Sequence, residues 1–291
     1  MLKFNFINDI ENRKKYEIKR KELLIKIQQQ IDDTNKFTVR IADNTKHIDF
    51  TFGIITNGLY DHYIRQIILS IEQNNIPNYE IIIVGNSKID PTDRIRIIPF
   101  DENIKRAWIT RKKNIITEQA KYENVVLLHD YIIFDNYWYN GFSRWGDDYE
   151  WCVNRIVNYD KTRFRDYTAV PTYLDKSLSQ IVGVNDDYYY THCLLPYDYE
   201  NTIHTNKYMY ISGSYYIIKR HIAQKYPLDE NLIHGDGEDV EYSNRLHNNN
   251  IIIKCNPYSR VGFLKQKVST RWENVMDNEH LQLFVSACNR I

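Results

Sequence analysis

Short apolar runs alternate with amphipathic stretches through the first half of the chain. Runs rich in Ile, Val and aromatic residues predict four buried strands. These strands are Ile48–Thr56, Tyr79–Ser87, Arg94–Phe100 and Val125–Leu128. Between them, Tyr60–Asn74 and Ile104–Tyr122 carry apolar residues at helical spacing. Strands and helices in alternation predict an α/β fold with an open, mostly parallel, Rossmann-like sheet that binds ligands at the carboxyl ends of its strands.

The pattern in the second half is less regular. Tyr208–Ile218 has the composition of a strand, but Gly213 interrupts it, which indicates a bulge or the close approach of another group to the backbone. The remaining predicted elements are helices at Lys219–Tyr226 and Val240–His247, a strand at Ile251–Cys255, and a helix at His280–Cys288 within a C-terminal tail of residues 266–291.

Residues 1–46 predict an N-terminal helical extension. Asn12–Asp33 is highly charged and has one narrow apolar stripe at helical spacing, which includes Leu23 and Ile27. Two interpretations are open. The segment is a solvated helix that packs on the main domain by this stripe, or it is a basic arm that contacts a membrane surface or a partner.

Residues 136–206 predict an irregular, aromatic-rich insertion with weak periodicity. Its aromatic residues include Tyr137, Trp138, Tyr139, Trp145 and Trp151. Aromatic side chains on irregular backbone provide faces on which sugar rings stack, because a pyranose presents C–H groups to the ring. They equally form the small core of a loop-rich subdomain, and both interpretations are open.

Composition and charge restrict the class of protein. The chain has 291 residues, of which 43% are hydrophobic, enough for a substantial core. Lys and Arg total 38, as do Asp and Glu, so no net charge favours nucleic acid as a partner. Four scattered cysteines without CxxC spacing predict neither a disulfide framework nor a zinc site. No signal peptide or membrane span is evident, and we expect a cytoplasmic protein.

Asp130 is the first candidate for a functional residue. The pair His129-Asp130 ends the buried strand Val125–Leu128, at the edge where α/β sheets bind ligands. The alternative is that both residues only end the strand and begin a turn.

A second acidic cluster contains Asp236, Glu238 and Asp239. It lies between glycines and opens directly into the predicted helix Val240–His247. Carboxylates at a helix N-terminus are stabilised in their ionised form, although simple N-capping also explains them.

Seven short motifs together resemble family 2 glycosyltransferases with the GT-A fold. The motifs are Phe52–Asn57, Ile82–Ser87, Lys113-Asn114 with Ala120, Leu127–Asp130, Ser212-Gly213, Leu228–Glu230, and Gly237–Asp239 with Arg245-Leu246. Each is weak alone, but their common order between Phe50 and Cys255 is specific. The resemblance implies a GT-A domain over residues 47–265, with residues 136–206 on the acceptor side.

The resemblance implies a role for each matched residue. The expected nucleotide-sugar ligands are Thr56, Asn57, Asn86, Lys113, Asn114 and Gly213, with Arg111 as an alternative to Lys113 for neutralising phosphate. Asn86 replaces the family's usual Asp, and Lys113 replaces its usual Arg. Asp239, with Glu238 as the second choice, matches the base that deprotonates the acceptor hydroxyl.

A divalent cation, Mn²⁺ or Mg²⁺, is the implied cofactor, with Asp130 and His129 as its ligands. The chain departs from the family in three places. Asp130 lacks a second carboxylate in its motif, no His lies between Cys255 and Lys265 where the family often has one, and Ile116 stands where the family has Gly. Lys265 is a candidate to replace the charge of the metal.

The expected activity is that of a hexosyltransferase-like enzyme. It moves a sugar from a nucleotide-diphosphate sugar, UDP-linked in the first instance, to a glycan, glycolipid or protein acceptor with inversion. The alternative is a GT-A-like protein that binds sugar or nucleotide without catalysis. A glycoside hydrolase is a third class, but the strand ending at Thr56-Asn57 has no role in that chemistry.

Overall fold

The fold is described from a computed structural model. The description covers residues 14–22, 24–25, 28, 36–37, 46–159, 162–174, 178, 184–185, 188–189, 192–265 and 275–290. The chain divides into two units, residues 1–38 and residues 39–291. In the first unit, residues 14–22 are helical and exposed. Parts of the predicted Asn12–Asp33 helix and of the 266–291 tail lie outside the described residues.

The second unit contains the strands and the remaining described helices of the chain. The strands are β1 (Phe50–Ile55), β2 (Tyr79–Val84), β3 (Ile95–Ile98), β4 (Asn124–His129), β5 (Ile132–Phe134), β6 (Trp151–Val157), β7 (Thr168–Ala169), β8 (Val184–Asn185), β9 (Tyr188–Tyr189), β10 (Cys193–Leu194), β11 (Met209–Tyr210), β12 (Tyr215–Lys219) and β13 (Ile253–Phe263). The helices are α1 (Asp61–Glu72), α2 (Ile109–Gln119), α3 (Trp138–Trp145), α4 (Pro171–Leu174), α5 (Ile203–Asn206), α6 (Arg220–Lys225), α7 (Glu238–His247) and α8 (Asn278–Cys288).

The main sheet has eight strands in the order β3-β2-β1-β4-β12-β6-β13-β5. Its first four strands pair in parallel, as the alternation of strands and helices predicts. The second half is mixed, because β12 pairs antiparallel with β4 and β6, and β13 pairs antiparallel with β5. The predicted α/β architecture is confirmed, and its parallel character is confined to the first half and the β6–β13 pair.

The sheet curls so that its β13-β5 end returns to the segment that follows β4. Strand β5 follows β4 after only two residues, Asp130 and Tyr131, yet it pairs with β13 at the far end of the strand order. The irregularity in β13 between Asn256 and Arg260 allows this long strand to bend. The curl brings the end of β13 next to the segment that follows β4.

The prediction of an irregular insertion over residues 136–206 needs a correction. Its segment Trp151–Val157 is β6, a strand of the main sheet between β12 and β13. Trp138 and Trp151 are at most 1% exposed and belong to the hydrophobic core. The weak periodicity arises because both faces of β6 are buried. Most aromatic residues of this region that the structure describes are therefore core residues, although Tyr137 is exposed.

Helix α2 packs against β1 through a contact that explains one departure from the family pattern. A Cβ atom on Gly53 would lie 2.2 Å from Cγ2 of Ile116. Ile116 is fully buried, so its side chain occupies the space that Gly53 leaves open. A large residue on the helix is thus matched by the absence of a side chain on the strand.

This contact predicts non-additive effects on stability. Gly53→Ala should lower the free energy of unfolding by about 1–3 kcal/mol, because the added methyl overpacks a buried site. Ile116→Ala should cost about 2–5 kcal/mol by opening a cavity. In the double variant the free energy of unfolding, measured by urea denaturation, should fall by less than the sum of the two single losses, because the new methyl partly fills that cavity. Strictly additive losses would show that the two residues do not share this space.

Among the described helices, none has both the length and the apolar character that crossing a bilayer requires.

Candidate active site

Two adjoining cavities lie at the carboxyl ends of β1 and β4. The larger, here called the strand-end cavity, has a volume of about 540 Å³ and is lined by Thr56, Asn57, Asp130 and Lys265, among others. The smaller, the acid-pair cavity, has a volume of about 310 Å³ and is lined by Gly213, Glu238 and Asp239, among others. The residues common to both linings are His129, Tyr131 and His234. The two predicted acids, Asp130 and Asp239, therefore line neighbouring cavities.

The floor of the strand-end cavity is set by the parallel pairing of β1 with β4. Ile55 pairs with His129, so the next residues, Thr56 and Asp130, emerge side by side. The Thr56 hydroxyl donates a hydrogen bond of 2.7 Å to Oδ2 of Asp130. Burial raises the pKa of Asp130, and the Thr56 hydrogen bond and the charges of Lys265 and Lys112 partly oppose that rise.

Lys112 lies under the same cavity. Its ammonium donates a hydrogen bond of 2.7 Å to the carbonyl oxygen of Thr56 and pairs with the carboxylate of Glu102. The Lys112 side chain is only 4% exposed, so most of its charge is neutralised within the protein. Lys112 therefore fixes the end of β1 more than it attracts a ligand.

Two Asn residues of the predicted donor site are placed differently. Asn57 lines the strand-end cavity, where its side-chain oxygen accepts a hydrogen bond from the amide of Leu59. Asn86 is exposed and is not among the residues that line either cavity. The carbonyl of Asn86 packs closely under Gly58, so this residue supports the loop that follows β1.

The acid pair begins α7. Helix α7 starts at Glu238, two residues earlier than the hydrophobic pattern predicts, so both acids belong to its first turn. Oδ2 of Asp239 accepts a hydrogen bond of 2.9 Å from the amide of Gly213, and Oδ1 accepts one of 3.0 Å from the amide of Val240. These two amides hold the Asp239 carboxylate in one orientation.

The absence of a side chain at Gly213 leaves room for both acids to lie close to the backbone. A Cβ atom here would lie 2.6 Å from Oε1 of Glu238 and 3.3 Å from Cβ of Asp239. The break that Gly213 makes in the predicted strand separates β11 from β12 and lets the backbone approach the acid pair. The close approach indicated by the sequence is thus an approach to these two carboxylates.

Lys113 is a buried cation directly behind the acid pair. Its side chain is fully buried, and its ammonium donates a hydrogen bond of 2.6 Å to the carbonyl oxygen of Gly213. Burial lowers the pKa of Lys113, and the charges of Glu238 and Asp239 oppose this. Burial also raises the pKa of Glu238, which Lys113 opposes and Asp239 reinforces. The cation and the acids therefore stabilise one another's charged forms.

Three predicted donor ligands on α2 lie outside the linings of both cavities. Arg111 pairs with Glu118 and Glu230, and Lys113 is buried behind Gly213. The Asn114 side chain bonds both the carbonyl and the amide of Leu228 at 2.9 Å. These contacts hold the segment around Leu228 against α2, so in this structure the three residues support the site from behind.

Several cavity residues were not selected from the sequence. They are Arg106, Lys112 and His234, together with Phe164, Arg165 and Tyr210. Lys112 and Lys113 are neighbours on a helix, where each residue is rotated by about 100° from the one before it. An error of one residue in matching the chain to the family motif therefore changes which lysine is expected to face the cavity. His234 lies on the glycine-rich segment just before the acid pair at the start of α7. Its closeness in sequence to these two acids was a signal that could have identified it as a site residue.

The described residues do not fit a resident divalent cation well. At the expected place they offer one carboxylate, Asp130, and one imidazole, His129. One Asp130 oxygen already accepts from Thr56, and the positive charges of Lys265 and Lys112 act on the same carboxylate. Within the described part of the chain, no group of three or more His, Cys, Asp or Glu side chains is placed to hold a metal ion. A cation here would depend on ligand phosphates for most of its coordination.

The fold is similar to those of solved glycosyltransferases. GalNAc-T7 with UDP, GalNAc and Mn²⁺ matches with a TM-score of 0.51 and 12% identity, over 77% of this chain and 45% of that one. The fold is of the GT-A type. At this level of identity the match shows a shared fold and nothing further, and the chain spans less than half the length of that protein.

Two other solved structures match less closely in shape. The mannosyltransferase PcManGT from Pyrobaculum calidifontis, in complex with GDP-Man and Mn²⁺, has a TM-score of 0.49 and 12% identity, over 78% of this chain and 60% of that one. S. aureus TarS 1-349 has a TM-score of 0.46 and 12% identity, over 82% of this chain and 65% of that one. No protein-family model and no curated protein sequence matches the chain.

The buried charges around Gly213 predict a pH-dependent effect of Lys113→Met. Because burial raises the pKa of Glu238, the contribution of this residue to stability is present below its unfolded-state pKa and is lost as the pH rises through the folded-state pKa. Removing Lys113 raises that folded-state pKa further. The loss in free energy of unfolding should therefore be larger at about pH 8 than at about pH 5.

The matched control is the same substitution in a Glu238→Gln background, measured by urea denaturation at both pH values. There the pH dependence should shrink, because the carboxylate that Lys113 balances is absent. An equal loss at both pH values in the native background would show that Lys113 acts only through its hydrogen bond to Gly213.

Proposed function

We propose that this chain is a glycosyltransferase that moves a sugar from a nucleotide-diphosphate sugar to an acceptor hydroxyl. One observation carries the proposal: a basic cavity at the strand ends adjoins a cavity that contains two carboxylates. The GT-A fold supports it, because GalNAc-T7, which shares that fold, was crystallised with UDP, GalNAc and Mn²⁺. In open α/β sheets such crevices are the usual ligand sites.

The donor occupies the strand-end cavity in this proposal. Thr56 and Asn57 directly follow β1 at the edge of this cavity and face the base or ribose, while Arg106 and Lys265 provide positive charge for the diphosphate. A volume of about 540 Å³ is within the range of small-molecule sites. A UDP-linked hexose is the first candidate, on the family resemblance and on the UDP complex of GalNAc-T7.

The acid pair activates the acceptor. A carboxylate takes the proton of the acceptor hydroxyl while the oxygen bonds to the anomeric carbon and the bond to the diphosphate breaks. We assign the base to Asp239, because two backbone amides orient its carboxylate at the cavity wall. Glu238 is the second candidate, since burial raises its pKa toward the range of an effective general base.

Inversion is the stereochemical outcome that this arrangement favours. The proposed base and the proposed diphosphate site line different cavities, on the two sides of the shared residues His129, Tyr131 and His234. An acceptor in the acid-pair cavity can therefore attack the anomeric carbon from the side opposite the leaving group. Phe164 and Tyr210 line that cavity and offer aromatic faces to a glycan, glycolipid or protein acceptor.

The family resemblance also implies a divalent cation held by Asp130 and His129, and GalNAc-T7 was crystallised with Mn²⁺. In this proposal such an ion would arrive with the nucleotide and would supply positive charge to the diphosphate. The catalytic steps assigned above belong to the protein's own residues and are the same with or without it.

Ligand binding is the first test. UDP, GDP and a panel of their sugars, each with Mn²⁺ and with a chelator, should include at least one ligand that raises the melting temperature. The expected rise corresponds to about 2.7 kcal/mol when the ligand is at 100 times its dissociation constant. Stabilisation by a UDP- or GDP-sugar, but not by ADP added as a control nucleotide, would support the assignment. No stabilisation by any nucleotide under either condition would contradict it.

The acid pair is tested by Asp239→Asn. Sugar transfer or donor hydrolysis, measured as nucleotide release, should fall by about 10²–10⁴-fold, because the amide cannot take a proton. Nucleotide binding should be retained. Glu238→Gln should reduce release less if Asp239 is the base, and the reverse order would assign the base to Glu238.

The matched control is Asp236→Asn, on the same loop. Asp236 is exposed, bonds the amide of Ile233 and lies outside the linings of both cavities, so this variant should keep full activity. Donor binding without release by the native protein would instead favour the non-catalytic binding protein.

A further inference from the structure

Lys265 is held at the strand-end cavity by the curl of the sheet. It follows β13 by two residues, and the amide of the intervening Leu264 donates a hydrogen bond of 2.9 Å to the carbonyl oxygen of Tyr131. Tyr131 is itself the residue after Asp130. The backbone therefore places Lys265 opposite the end of β4, although the two segments are far apart in the chain.

Two aromatic rings hold the Lys265 ammonium. Its Nζ lies 4.4 Å from the ring centre of Tyr131 and 4.8 Å from that of Tyr60. Burial raises the pKa of Tyr131, so this ring remains a neutral phenol. Cation–π contacts of this kind orient an ammonium without using its N–H donors. Within the described part of the chain, those donors are left for a ligand in the cavity.

The charges that line the strand-end cavity favour an anion. They comprise three cations, Arg106, Lys112 and Lys265, and two carboxylates, Glu102 and Asp130, a formal balance of +1 with His neutral. Glu102 and the Thr56 carbonyl already engage Lys112, which leaves Arg106 and Lys265 as the cations that face the ligand. A divalent cation near Asp130 would be repelled by Lys265, whereas a diphosphate would be attracted.

We propose that Lys265 provides the positive charge that binds and releases the donor diphosphate, so that nucleotide binding requires no divalent cation. This inference rests on the proposed glycosyltransferase function and states how its donor site handles charge. Asp130 then has a positioning role: its hydrogen bond with Thr56 ties the end of β1 to the end of β4. The nucleoside diphosphate leaves carrying the electron pair of the broken bond, and Lys265 stabilises that charge.

The test measures UDP and GDP binding by titration calorimetry in EDTA and in Mn²⁺. The native protein should bind one of the two with dissociation constants that agree within about 3-fold in both conditions. Lys265→Ala should weaken that binding by at least about 10-fold in both, because a charge-assisted hydrogen bond is lost. Lys265→Arg keeps the positive charge and a cation–π contact, and should weaken binding less than Lys265→Ala does.

The matched control is Lys254→Ala, also in the β13 region. Lys254 bonds the backbone of Asp148 at 2.6 Å and lies outside both cavity linings, so its removal should leave nucleotide binding unchanged. Thermal unfolding of every variant checks that the fold is intact. Should Lys265→Ala unfold, the comparison of EDTA with Mn²⁺ on the native protein, and the Lys265→Arg variant, still test the proposal.

The outcomes separate the two proposals. Nucleotide binding that occurs only with Mn²⁺, or that is unchanged in Lys265→Ala, would overturn the role of Lys265 and leave the glycosyltransferase proposal standing. Failure to bind either nucleotide in both conditions would overturn both. Electron paramagnetic resonance of Mn²⁺ alone gives an independent readout: stoichiometric uptake by the native protein that D130N abolishes would restore Asp130 as a metal ligand.

Discussion

The in-register pairing of β1 with β4 is the constraint on which the site depends. It ends both strands at the same level, so that the hydroxyl of Thr56 and the carboxylate of Asp130 meet in a buried position. A buried carboxylate is costly unless it is hydrogen-bonded or balanced by charge. Here the hydroxyl and two nearby lysines meet that requirement. The strand ends, and the loops that leave them, are fixed relative to one another as a result.

Gly213 plays the corresponding part for the second cavity. Its amide contacts Asp239 and its carbonyl contacts Lys113, so one residue without a side chain connects α2 with α7. The acid pair and the buried lysine are brought together by backbone atoms, and their separation is set by the close packing of that backbone. This explains why the Asp239 carboxylate is held in one orientation in the first turn of α7.

Much of the parallel half of the fold was predictable, because its strands are buried on both faces and appear as continuous apolar runs between amphipathic helices. The positions of Asp130, directly after β4, and of Asp239, in the first turn of α7, were also predictable from the sequence pattern. β6 was not, because both of its faces are buried and its residues therefore do not alternate between apolar and polar. The helix α2 residues were assigned to the ligand, but long-range contacts decide which helix face is turned to the cavity.

Lys265 marks a different limit of sequence reasoning. Its place beside Asp130 comes from the curl of the sheet and from one hydrogen bond between Leu264 and Tyr131. These two residues belong to segments more than a hundred residues apart in the chain. Local periodicity contains no information about such a closure. The chemistry of the residue was evident from its side chain, whereas its location required the complete topology.

The distribution of the site along the chain has a consequence for folding. Thr56, Asp130, Gly213, Asp239 and Lys265 come from segments that all meet only when β12, β13 and α7 have joined the parallel strands. A partly folded intermediate with only the parallel strands would contain the strand ends without the cation or the acid pair. Ligand binding in the two cavities is therefore coupled to complete folding of the domain. A bound ligand would protect segments that are distant in the chain from proteolysis together.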